Sequence, residues 1–124
     1  MANPNIVAVA NIYGKTAFDA DVAVTASAIV TNAASSGKIL KINSLIISNI
    51  DGSAAADITA TIRNAAGGTT YSYLAYTIAV PADATLIVVS KDTSIYLEED
   101  MSLYLQASAS GDLAATLSYE EISE

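Results

Sequence analysis

Apolar and polar positions alternate with period two along most of the chain, and most cleanly between Met101 and Ile122. Met101, Leu103, Leu105, Ala107 and Ala109 alternate with Ser102, Tyr104, Gln106, Ser108 and Ser110. Beyond Gly111-Asp112, Leu113, Ala115, Leu117 and Tyr119 alternate with Ala114, Thr116, Ser118 and Glu120. Successive strand side chains point to opposite faces, so this pattern predicts two strands with one face in a core and one face polar. The Gly-Asp turn between them predicts an antiparallel hairpin, whose charge-poor polar parity forms one outer face.

The same reading yields about nine strand candidates separated by short turn signals. The first covers Ile6 to Ile12 and ends at Gly14-Lys15-Thr16, making residues 1–16 an N-terminal strand or arm suited to subunit contacts. Further candidates run from Val22 to Thr31, Lys38 to Ile50, Ile58 to Arg63 and Tyr71 to Val80, then Ala84 to Ser90 and Ser94 to Leu97. Leu45-Ile46-Ile47 is apolar on both parities, which predicts a central strand or a bulge that changes the buried face. In the Tyr71 to Val80 segment, Leu74, Tyr76, Ile78 and Val80 fall on one face and Tyr71, Tyr73, Ala75 and Thr77 on the other. Pro81 has no amide to donate and bounds that strand. With no helical periodicity, linker or repeat, residues 1–124 are expected to form one all-β domain. The expected architecture is a β-sandwich of about eight or nine antiparallel strands, jelly-roll topology being favoured over immunoglobulin-like.

Composition narrows the function. The chain is 52% apolar and only 15% charged, so a monomer would expose broad patches of small apolar and hydroxyl side chains, and self-association is expected. The net charge is −8, and the basic residues Lys15, Lys38, Lys41, Arg63 and Lys91 are scattered, which argues against a nucleic-acid partner. No apolar run approaches a membrane span and the first residues do not resemble a secretory signal, so synthesis in the cytoplasm and no membrane partner are expected.

The absence of His and Cys removes the usual nucleophile–base pairs and most transition-metal sites. No catalytic residue, cofactor or metal site is expected. Glu98-Glu99-Asp100 reads as a solvated turn, because consecutive residues point in different directions. Asn49, Asp51, Ser53 and Asp57 lack the spacing and closing Glu of a calcium loop and read as turn formers. Gly67-Gly68 reads as a hairpin turn. The candidate contact residues are Tyr71, Tyr73, Tyr104, Gln106 and Thr116, since Tyr offers apolar area with a polar tip. They suit subunit packing first and glycan stacking second.

The ordered segments Asn3-Pro4-Asn5-Ile6-Val7, Ile12-Tyr13-Gly14-Lys15-Thr16, Lys41 to Asn49, Val80 to Leu86, Ile95 to Glu99 and Ser118 to Ile122 carry a further signal. Together they resemble a family of small virion structural proteins of tailed bacteriophages, especially marine phages such as cyanophages. The resemblance implies a non-enzymatic, disulfide-free, self-associating β-domain located in the virion. A capsid decoration or cement protein or a head-attached fibre subunit would form a homo-oligomer, a trimer being favoured, and bind the major capsid protein or another virion protein. A tail or fibre module that binds host surface glycan is the alternative.

Overall fold

The computed structural model describes residues 3–124, in which the alternation becomes nine strands. They are β1 (Asn11–Asp19), β2 (Ser27–Asn32), β3 (Lys38–Asn49), β4 (Ala56–Arg63) and β5 (Thr70–Val80), followed by β6 (Thr85–Val89), β7 (Ile95–Leu97), β8 (Met101–Ala107) and β9 (Leu113–Ser123). All pairings are antiparallel, and the strands form two sheets of a β-sandwich. Sheet A has the order β1-β9-β3-β6, with β7 also on β3, and sheet B has the order β2-β8-β4-β5. β6 and β7 share the far edge of β3, facing Leu45–Ser48 and Leu40–Ile42 respectively, with a 3₁₀ turn at Lys91–Thr93 between them.

Strands β8 and β9 do not pair with each other. β8 lies between β2 and β4 in sheet B, while β9 lies between β1 and β3 in sheet A. The expected hairpin is therefore an arch in which Ser108–Asp112 carries the chain from one sheet to the other. Val22 and Ala23 brace it from both sides, through Val22 N–H to Leu113 O at 2.8 Å and Ala107 N–H to Ala23 O at 2.9 Å. Gly111 supplies the left-handed turn residue, at φ +82°. Period two cannot separate the two arrangements, because an apolar parity faces the core whether the strands lie side by side or across from one another. The consequence is large for the surface: the polar parities of β8 and β9 lie on opposite outer faces.

Two further boundaries move. Ile6 to Ala10 is irregular, with Ala8 N–H bonding Asn5 O at 3.0 Å, and the first strand instead runs through Gly14 to Asp19. As an edge strand that among the described residues pairs only with β9, β1 tolerates a glycine that a central strand would feel more. Asn3 is tied to its own subunit by Asn3 Nδ2 donating to Glu98 Oε1 at 2.6 Å. The expected Val22–Thr31 strand begins only at Ser27, Val22 being fully buried in the preceding loop. For Leu45-Ile46-Ile47 both predicted features occur: β3 is interior to sheet A, and its register shifts near Asn43 against β9 and at Leu45/Ile46 against β6.

The core lies between the sheets. Ile42, Leu45, Ile47 and Leu117 from sheet A face Ile58, Ala60, Leu103 and Leu105 from sheet B. Small residues at Ala56, Ala60, Ala107 and Ala115 are also buried there. Two buried asparagines clip loops that cross between the sheets. Asn32 Nδ2 donates to Lys38 O at 2.9 Å and Leu97 O at 3.0 Å, and Asn49 Nδ2 donates to Ala54 O at 2.9 Å and Val80 O at 2.8 Å. A buried carbonyl that has lost water needs such a donor.

Candidate functional site

The outer face of sheet A carries a lateral row across four strands. Phe18 in β1 pairs with Thr116 in β9, Thr116 with Ile46 in β3, and Ile46 with Ile87 in β6. Directly paired residues in antiparallel strands project to the same face. Their sequence neighbours Leu45, Ile47 and Leu117 are in the core, so this row points outward. Phe18 is 76% exposed and Ile87 60%. The adjoining rows are Thr16, Ser118 and Ser44 on one side and Ala114, Ser48 and Thr85 on the other, all uncharged. Thr116 thus sits at the centre of an apolar, hydroxyl-rimmed surface.

The other candidate contact residues gather on sheet B. Ala28, Tyr104, Thr61 and Tyr73 form its corresponding outer row. Tyr71 and Tyr73 are about half exposed, whereas Tyr104 is committed internally. The Arg63 guanidinium lies 4.7 Å from the Tyr104 ring centroid, in cation–π range, and its Nε donates to Thr61 Oγ1 at 3.2 Å. The β4–β5 loop covers this corner: Ser102, on the outward parity, is fully buried because its Oγ donates to Asn64 O at 2.8 Å. Gly67, at φ +84°, lies against Tyr104, and a Cβ there would run into the ring and its hydroxyl. Gly67→Ala is expected to cost about 1–2 kcal/mol in urea unfolding, from left-handed strain alone. Tyr104 must also shift, which should alter tyrosine fluorescence.

β5 departs from simple alternation. Its register against β4 shifts at Ile58/Ala60, Ala60/Thr61 and Ile62/Arg63. The bulges bring Tyr76 beside Tyr73, edge to face at 5.0 Å between centroids, although their spacing places them on opposite faces of a regular strand. Thr77 is held at φ +47°, unusual for a β-branched residue, and its N–H donates to Thr59 Oγ1 at 3.1 Å. Next to this bulge lies a shallow cleft of about 160 Å³ lined by Asp57, Thr59, Thr77, Gln106, Ala107 and Ser108.

Asp51 and Asp112 lie close enough to interact, with Asp21 nearby, whereas the acidic turn is engaged elsewhere. Glu98 accepts from Asn3, Glu99 from Gly37 N–H and Asp100 from Ala65 N–H, so the acidic turn fastens three separate segments. Asp51 caps Ser53 through both its N–H and Oγ, which holds the carboxylate below its ordinary pKa. Asp112 is pushed up by desolvation and by the neighbouring Asp51 and Asp21. Glu121 accepts from Lys15 at 2.8 Å and Lys38 at 3.0 Å; these bonds lower its pKa and tie β1 and β3 to β9. Among the described residues no cluster of three or more acidic side chains is arranged to hold a metal ion.

The row through Phe18, Ile46 and Ile87 was not legible from spacing, because pairing between distant strands creates it. The available signal was local: Ile46 and Ile87 are apolar residues on otherwise outward parities. Thr59, Thr77 and Asp57 also look ordinary in sequence, since the cleft depends on a bulge. No protein-family model, curated protein or solved structure matches the chain.

Proposed function

We propose that this chain is a non-enzymatic structural protein of a phage virion, a capsid decoration or cement protein or a head-attached fibre subunit, that assembles through the outer face of sheet A. The observation that carries the assembly is the outward-facing row Phe18–Thr116–Ile46–Ile87, exposed at Phe18, Thr116 and Ile87 and half-buried at Ile46, with its uncharged hydroxyl rim. An apolar surface without fixed charges suits burial against a neighbouring copy; in a trimer each subunit's row packs on a different patch of the next subunit, and the rotation closes the ring. The virion setting comes from the ordered sequence segments. The strand order β1-β9-β3-β6 facing β2-β8-β4-β5 supports the jelly-roll reading, an architecture that capsid and lectin domains share, and this support is fold-level analogy. The proposed assembly is a trimer bound to the major capsid protein or another virion protein.

Light scattering after size exclusion, with sedimentation on purified particles, tests the proposal. The wild-type chain is expected to run as a trimer and co-sediment. The Phe18→Ser/Ile87→Ser double variant should run as a monomer with an unfolding midpoint close to wild type, because both side chains are exposed. A wild-type chain that stays monomeric at high concentration and binds no particle would refute the reading.

A second reading, host-glycan recognition, is favoured by the exposed rings of Tyr71, Tyr73 and Tyr76 on the bulged edge strand β5. Loss of glycan-array signal in Tyr71→Ala and Tyr73→Ala variants would support it.

A further inference from the structure

We propose that the outer face of sheet B carries a binding site of its own, the cleft between β8, β4 and β5, and that it takes a single neutral sugar ring. The proposal deepens the glycan reading and moves the site from Tyr71 and Tyr73 to the cleft. It is independent of assembly, because sheet A's apolar row lies on the opposite side of the sandwich.

The hydrogen-bonding inventory of the cleft selects the ligand. Ser108 Oγ accepts from Asp57 N–H at 2.8 Å, and Thr59 Oγ1 accepts from Thr77 N–H at 3.1 Å. Each hydroxyl has used an acceptor position on the backbone, so its proton remains available to a ligand. Gln106 Nε2 donates to Val24 O at 2.9 Å, which fixes the amide and leaves its carbonyl oxygen as an acceptor. Among the described residues no hydrogen bond is donated to the Asp57 carboxylate, a second and stronger acceptor. The cleft therefore offers two donors and two acceptors at close quarters. A vicinal pair of sugar hydroxyls, each both donor and acceptor, satisfies all of them. An ammonium group would leave the Ser108 and Thr59 protons without partners, and a carboxylate would meet Asp57.

Size and backbone agree with this occupant. At about 160 Å³ the cleft lies below the several hundred Å³ typical of drug-sized ligands, which suits one ring. Thr77 pays a left-handed backbone to form this wall, and such strain on a β-branched residue concentrates at binding sites. The residue preceding Thr77 in the chain, Tyr76, is 63% exposed and packs edge to face against Tyr73.

Titration of the ¹⁵N-labelled chain by NMR tests the site, using methyl glucoside, methyl galactoside and methyl mannoside as neutral probes and glucuronate as the charged one. At least one neutral glycoside should shift the Asp57 and Thr77 amide signals saturably, with a Kd in the millimolar range. Glucuronate should bind about tenfold more weakly, and Thr59→Val and Gln106→Ala should each weaken the neutral sugar about tenfold. Loss of binding in Tyr71→Ala with both cleft variants still binding would place the sugar on the Tyr71–Tyr73 surface and overturn the cleft, and signal dispersion checks that each variant is folded. The Phe18→Ser/Ile87→Ser variant should still bind, so failure of assembly and failure of this site are read separately. Absence of saturable shifts with all three neutral probes at about 50 mM overturns the proposal. Equal binding of glucuronate, or wild-type binding by both cleft variants, does the same.

Discussion

Leu117→Ala is expected to lower the unfolding free energy by about 3 kcal/mol, read from the shift of a urea or guanidinium transition. Leu117 is completely buried near the middle of β9, in register with Ala17 on one side and Leu45 on the other. Its truncation removes contacts in the centre of sheet A and leaves a cavity lined by β-sheet residues whose backbones are fixed by ladders on both sides, so little relaxation is available. The adjacent Thr116→Ala is expected to change stability by no more than about 0.5 kcal/mol, because Thr116 is on the outer face. This contrast tests the parity of β9 directly. Equal effects at the two positions would mean that the strand is rotated or its register is different. Against a typical total of about 5–15 kcal/mol, the Leu117 loss removes a substantial part of the stability.

Asn49→Ala is expected to cost about 2–4 kcal/mol even though the residue contributes no apolar packing of note. The side chain is 4% exposed, and besides donating to Ala54 O and Val80 O it accepts from Asp51 N–H at 2.8 Å. One amide thus joins the end of β3, the following loop and the end of β5. Alanine leaves buried carbonyls without donors, and the cost of stranding them exceeds the net worth of the hydrogen bonds themselves. Asn49→Asp should be at least as damaging, because it turns a donor into a charged acceptor facing two carbonyl oxygens. Thermal unfolding of both variants checks this: an Asn49→Asp protein as stable as wild type would exclude the clip as a structural element.

Strand existence was largely legible in the sequence because it depends on local alternation: Lys38–Asn49, Ala56–Arg63 and Thr70–Val80 lie close to where period two places them. Partnership was not legible, since the Met101–Ile122 pattern is equally satisfied by a hairpin and an arch. Gly14 misled for a related reason. A glycine is a stop signal only where the strand depends on its side chain, and in β1 the space around Gly14 is open. Of the five candidate contact residues, Thr116, Tyr71, Tyr73 and Gln106 are exposed, but Thr116 belongs to a different face from the others. Tyr104 is half covered because Arg63 and the glycine-containing loop fold onto it, a contact that no spacing rule encodes. The β5 bulges were equally hidden, as they are set by how β5 registers against β4.

The placement of β9 also dictates when the molecule can become complete. Among the described residues only β4 and β5 are consecutive strands that pair across a short hairpin loop; every other ladder joins strands distant in sequence. Closing such long loops before any contact is gained makes folding slow. As the chain leaves the ribosome, β1 and β3 must wait with their facing edges open until residues 113–123 emerge and slide between them. Residues 113–123 are thus the keystone of sheet A, and the outer row through Phe18, Thr116, Ile46 and Ile87 cannot exist before they arrive. The surface proposed for assembly is thereby coupled in time to the insertion of β9.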